Sequence, residues 1–105
     1  MKKYKVFLNG KNFWIKADGH PKKMGFYTTR FVEADTPESA ENLAVELVRK
    51  DAGLRKAVKN EKSDPPLIYA EDIEILKTFK GVRVPGAGYT FYEEKSEAKK
   101  KRKGR

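Results

Sequence analysis

The chain has 105 residues and a formal net charge of +9, and six of those charges lie in residues 99–105 (KKKRKGR). That length admits one domain and a small core. The absence of cysteine excludes disulfides, thiolate metal sites and cysteine nucleophiles.

The remaining charge of +3 is itself divided: residues 1–25 carry +6, residues 26–75 carry −4 and residues 76–98 carry +1. No apolar run approaches the roughly 18 residues of a membrane span. Polar residues at Asn9–Asn12 interrupt any apolar stretch behind Lys2 and Lys3, so no signal peptide is expected. With no cysteine to protect, these features predict a cytoplasmic protein.

Residues 4–8 (YKVFL) and 12–16 (NFWIK) flank Asn9-Gly10. Asn-Gly suits the two positive φ angles of a type I′ turn, so the pattern predicts a tight β-hairpin. Its pairing puts Tyr4, Val6, Leu8, Phe13 and Ile15 on a core face. Lys5, Phe7, Asn12, Trp14 and Lys16 then share the other face. Asp18-Gly19-His20-Pro21 reads as a turn, and residues 25–34 (GFYTTRFVEA) as a third strand.

Thr36 and Pro37 open a helix as N-cap and first helical residue. Ala40, Leu43, Ala44, Leu47 and Val48 form its apolar stripe. The segment 32–50 resembles the strand-to-helix junction of many small α+β proteins, HicB-type antitoxins among them. The likeness covers about a fifth of the chain and rests on capping chemistry, so it implies an element and no function. Asp51-Ala52-Gly53 breaks the helix, and a short second turn follows with Leu54 and Val58 on one side. Residues 67–79 read as a strand with a bulge near Glu71-Asp72, where the alternation changes phase. Residues 80–88 read as a loop and residues 89–92 (YTFY) as a last strand. From Glu93 onward nothing larger than Ala98 is apolar.

These elements predict an α+β domain over residues 1–93 with a disordered basic tail over 94–105. The sheet is expected to be antiparallel or mixed, with about five strands in the chain order β-β-β-α-β-β. One main helix, broken at 51–53, packs on one face. The other face is then wet or covered by a partner.

Two basic features point to a polyanion. The tail cations Lys99, Lys100, Lys101, Arg102, Lys103 and Arg105 can neutralise phosphates and release counterions. On the hairpin, Phe7 and Trp14 beside Lys5 and Lys16 form a platform on which single-stranded bases can stack. The expectation is a non-enzymatic module that contacts RNA or DNA through these ten residues. The alternative is a protein–protein or homodimerisation module that uses the aromatic face.

Other constellations weigh less. His20 has no second histidine or cysteine near it. Glu71, Asp72 and Glu74 pair better with lysines than with a metal. Gly86-Ala87-Gly88 lacks the helix that a phosphate loop needs after it. Tyr27-Thr28-Thr29-Arg30 offers hydroxyls and a guanidinium that can bind an anion if exposed, but on a strand they read better as cross-strand partners. No catalytic set, metal site, cofactor or small-molecule substrate is expected.

Overall fold

The first two predicted strands are one. In the computed structural model, which describes residues 1–17 and 19–94, β1 runs unbroken from Lys2 to Ala17 (Lys2–Ala17). It pairs antiparallel with β2 (His20–Ala34) from Lys2↔Ala34 to Ala17↔His20. The chain therefore reverses between Ala17 and His20, where Gly19 has φ +83°. The hairpin expected at Asn9-Gly10 does not form, because neither residue has the positive φ that its turn requires. The glycine answers a different need. A Cβ on Gly10 would lie 2.4 Å from the ring of Phe26 across the strand, so only glycine lets that ring lie there.

The alternation that suggested a hairpin has another source. Between Gly10↔Phe26 and Phe13↔Met24, two residues of β1 oppose one of β2. This is a β-bulge, and Asn12 within it has φ +62°. The bulge switches the inward set from even to odd positions. Tyr4, Val6, Leu8 and Phe13 are all buried, and Ile15 packs against them. The predicted core face is thus correct, although the pairing behind it is not.

Asn12 also ties the bulge to distant segments. Its N–H donates to Glu94 at 2.7 Å, and its side-chain amide donates to Asp64 at 2.8 Å and to the Pro65 carbonyl at 3.2 Å.

Helix α1 (Pro37–Arg49) begins where the capping residues place it, with Thr36 Oγ1 accepting the Ser39 N–H at 3.1 Å. Its small residues Ala40 and Ala44, with Val48, are completely buried against the sheet. Leu43 and Leu47 are not: they stay 46% and 37% exposed, beside an apolar hollow of about 700 Å³ shared with Phe31, Phe79 and Val84. Helix α2 (Ala52–Ala57) follows, capped by Asp51, and buries Leu54.

Strand β3 (Leu67–Leu76) pairs antiparallel with the other edge of β1. The register passes from Phe7↔Asp72 to Leu8↔Ala70, so Glu71 is the extra residue of the bulge that the sequence predicts there. Strand β4 (Thr90–Glu93) pairs with residues 24–27 of β2. Among the described residues the sheet order is β3-β1-β2-β4, four antiparallel strands rather than five, because the first two predicted strands merge. Both helices lie on one face, which makes the domain a two-layer α+β structure. Among the described residues, no helix is long and apolar enough to cross a membrane. The tail cations lie outside the described residues.

Candidate nucleic-acid interface

The side chains that alternate away from the helices form the second sheet face. On β1 these are Lys3, Lys5, Phe7 and Asn9, and on β2 they are Tyr27, Thr29, Phe31 and Glu33. Phe7 and Tyr27 form an offset stack, with centroids 5.3 Å apart and planes 5° from parallel. Tyr92 of β4 continues the row, its centroid 5.3 Å from that of Tyr27.

A polar knot holds this row in place. Asn9 is only 2% exposed, and its amide donates to Glu71 at 2.8 Å and to the Tyr69 hydroxyl at 3.3 Å. Its carbonyl accepts the Tyr92 O–H at 2.9 Å. Burial raises the Tyr92 hydroxyl above its ordinary pKa. A buried amide with every group satisfied specifies one register.

Residues 85–88 run along the uncovered part of the β2 edge. The Phe31 N–H donates to the Pro85 carbonyl at 2.9 Å, and the Thr28 hydroxyl donates to the Gly88 carbonyl at 2.6 Å. Gly86 has φ +99°, and a Cβ there would sit 2.7 Å from the Thr29 carbonyl oxygen, so a side chain would push the loop off the strand. Between this loop and the sheet lies a groove of about 790 Å³. Phe7, Tyr27 and Phe31 give it aromatic walls, and among the described residues Lys5 and Arg83 are the charged ones that line it. Among the described residues neither cation is in an ion pair. Tyr27 is 37% exposed.

The loop is anchored from below through Arg30, which is 3% exposed on the helix side. Its guanidinium donates to the Thr29 carbonyl at 2.9 Å and to the Thr28 hydroxyl, and it lies 5.2 Å from the Tyr89 ring centre. The Tyr89 O–H donates to Asp51 Oδ2 at 2.7 Å, while Asp51 Oδ1 accepts the Leu54 N–H at 3.1 Å. This hydrogen bond from Tyr89 is the main reason the Asp51 carboxyl sits below its usual 3.8. Burial, and then the bond to Asp51, push Tyr89 up from 10.0 to about 12.

The linkage has opposite signs at its two ends. Tyr89 contributes its full stability below pH 10 and loses it as pH rises to about 12. Asp51 contributes fully above pH 3.8 and loses its share as pH falls through the lower folded value. Urea unfolding at a series of pH values is expected to show a fall in stability between pH 10 and 12 that Tyr89→Phe reduces. An identical alkaline fall in the variant would contradict the assignment.

The structure gathers some of the sequence candidates and separates others. Lys5 and Phe7 line the groove. Trp14 sits seven residues beyond Phe7 on the same strand, roughly 23 Å away at the usual rise. It is half-buried, its N–H donates to Asn60 at 2.9 Å, and its carbonyl accepts the Lys59 N–H at 2.7 Å. Lys16 is exposed near the same end, opposite Pro21. Lys5 pairs with Phe31 and Trp14 with Lys23, so the predicted joint Phe7–Trp14 platform does not form.

The run from Tyr27 to Arg30 is split, with Tyr27 and Thr29 facing the groove and Arg30 turned inward. His20 is exposed at the start of β2. Among the described residues no group of three His, Cys, Asp or Glu is placed to hold a metal. Sequence reasoning weighed Tyr27 only within an anion-binding run and not as a stacking ring, and it missed Phe31 and Arg83. The aromatic content of 25–34 was a signal for both rings; nothing local ties Arg83 to β2.

The class these features define is a four-stranded antiparallel sheet, with helices on one face and an aromatic groove on the other. No family model matches the chain, and neither does any curated protein or solved structure.

Proposed function

We propose that the protein is a non-enzymatic nucleic-acid-binding module, its basic C-terminal residues supplying affinity and its open sheet face supplying contact. The observation that carries this reading is the stacked pair Phe7 and Tyr27 on a face no described helix covers, in a groove that Phe31 and the cations Lys5 and Arg83 also line. Rings flanked by cations suit bases joined to phosphates. Charge is divided across the face. Asp72 and Glu74 oppose Phe7 and Lys5 from β3, so a polyanion is favoured on the β2 side, where the groove lies.

Titration of the full chain with labelled single- and double-stranded oligonucleotides at low and moderate salt tests the reading. Binding that weakens steeply with salt is expected. No binding at low salt would overturn it.

Asp72 and Glu74 beside Lys5 also favour a second reading, a homodimer closed over this face, because two copies can meet with acid against base. A strict monomer at high concentration in sedimentation equilibrium would remove it.

A further inference from the structure

We propose that the groove between β2 and residues 82–90 seats one nucleotide of a single strand, and that the protein therefore prefers single-stranded nucleic acid to duplex. This rests on the nucleic-acid reading above and narrows it to a place and a strandedness.

Three properties of the groove argue for it. Its volume of about 790 Å³ falls in the range of small-molecule sites. Its charged lining among the described residues is Lys5 and Arg83, with no carboxylate, so it favours an anion. Its aromatic lining includes Phe7, Tyr27 and Phe31, and of these Tyr27, 37% exposed and backed by Phe7, is the ring on which a base can stack.

The hydroxyl of Thr29 and the main chain of Gly86–Gly88 add polar groups at the wall. A phosphate between Lys5 and Arg83, with its base against the Tyr27 ring, satisfies all of these at once. A base paired in a duplex keeps both faces stacked on its neighbours and cannot turn one to a side-chain ring. Entry therefore requires an unpaired base. The groove is also held open in advance: the bonds from Phe31 to Pro85, from Thr28 to Gly88 and from Tyr89 to Asp51 fix its outer wall. Little ordering is then left to oppose binding.

The test compares three full-length variants against a labelled ten-nucleotide single strand and the matching duplex. Lys5→Ala/Arg83→Ala removes the two groove cations. Lys56→Ala/Lys62→Ala removes two exposed cations elsewhere and controls for net charge. Tyr27→Ala removes a partly exposed ring, and circular dichroism checks that the fold persists.

The unaltered chain is expected to bind the single strand at least tenfold more tightly than the duplex. The groove-cation variant is expected to lose about tenfold on the single strand, and the control pair less than about twofold. Tyr27→Ala is expected to lose roughly five- to hundredfold on the single strand, the usual worth of one stacked base. Equal losses for the two cation pairs with no effect of Tyr27→Ala would overturn the groove while leaving nucleic-acid binding standing, and so would equal affinity for duplex. Absence of binding to either probe would overturn both.

Discussion

Replacing Phe26 by alanine is expected to destabilise the fold by about 3–5 kcal/mol. Its ring is completely buried and lies 4.8 Å from the Phe13 centroid, 5.0 Å from Tyr89 and 5.7 Å from Phe91. It thereby joins the post-bulge half of β1, the anchored loop and β4. The missing side chain of Gly10 is what makes room for it, so alanine leaves a void under rigid backbone that cannot collapse around it. A domain of this size has a stability of about 5–15 kcal/mol, so the loss is a large share. Chemical denaturation measures it. If the alanine form does not fold, Phe26→Leu keeps part of the volume and is expected to give a smaller loss. A cost below about 1 kcal/mol for the alanine form would show that Phe26 is not the centre of the core.

Deleting residues 99–105 is expected to give the largest change in function. It removes six cations and no acid. For a single strand the slope of log affinity against log salt scales with about 0.7 for each phosphate neutralised, so neutralising six fewer phosphates flattens it by about 4. Low-salt affinity is expected to fall more than tenfold, while the preference for single strand over duplex persists, because it belongs to the groove. An unchanged salt slope would show that these residues touch no phosphate.

Much of the fold is legible in the sequence because its signals are local. Thr36 and Pro37 mark the start of α1, Asp51 marks its break, and the change of alternation at Glu71 marks a real bulge. The Asn9-Gly10 signal fails because its partners are remote. Asn9 bonds residues 60, 62 and 83 positions away, and Gly10 makes space for a ring in another strand. Tertiary demand overrides turn chemistry there, and two predicted strands become one.

The site is less legible than the fold. Lys5 and Phe7 follow from alternation, but Arg83 and Gly86 reach the groove only because their loop runs back along β2. No spacing in the sequence encodes that return. Leu43 and Leu47 illustrate the same limit: helical period puts them on the apolar stripe, yet the sheet is met by Ala40, Ala44 and Val48.

The most direct measurement is a titration of the isotope-labelled full chain with a single-stranded oligonucleotide at low salt, followed by backbone and side-chain chemical shifts. The expected result is a set of shifts concentrated at Lys5, Phe7, Tyr27, Thr29, Phe31 and Arg83, with α1 and the outer edge of β3 unmoved. Saturating binding that leaves those six residues unshifted would contradict a nucleic-acid interface on the open face, and so would the absence of any shift.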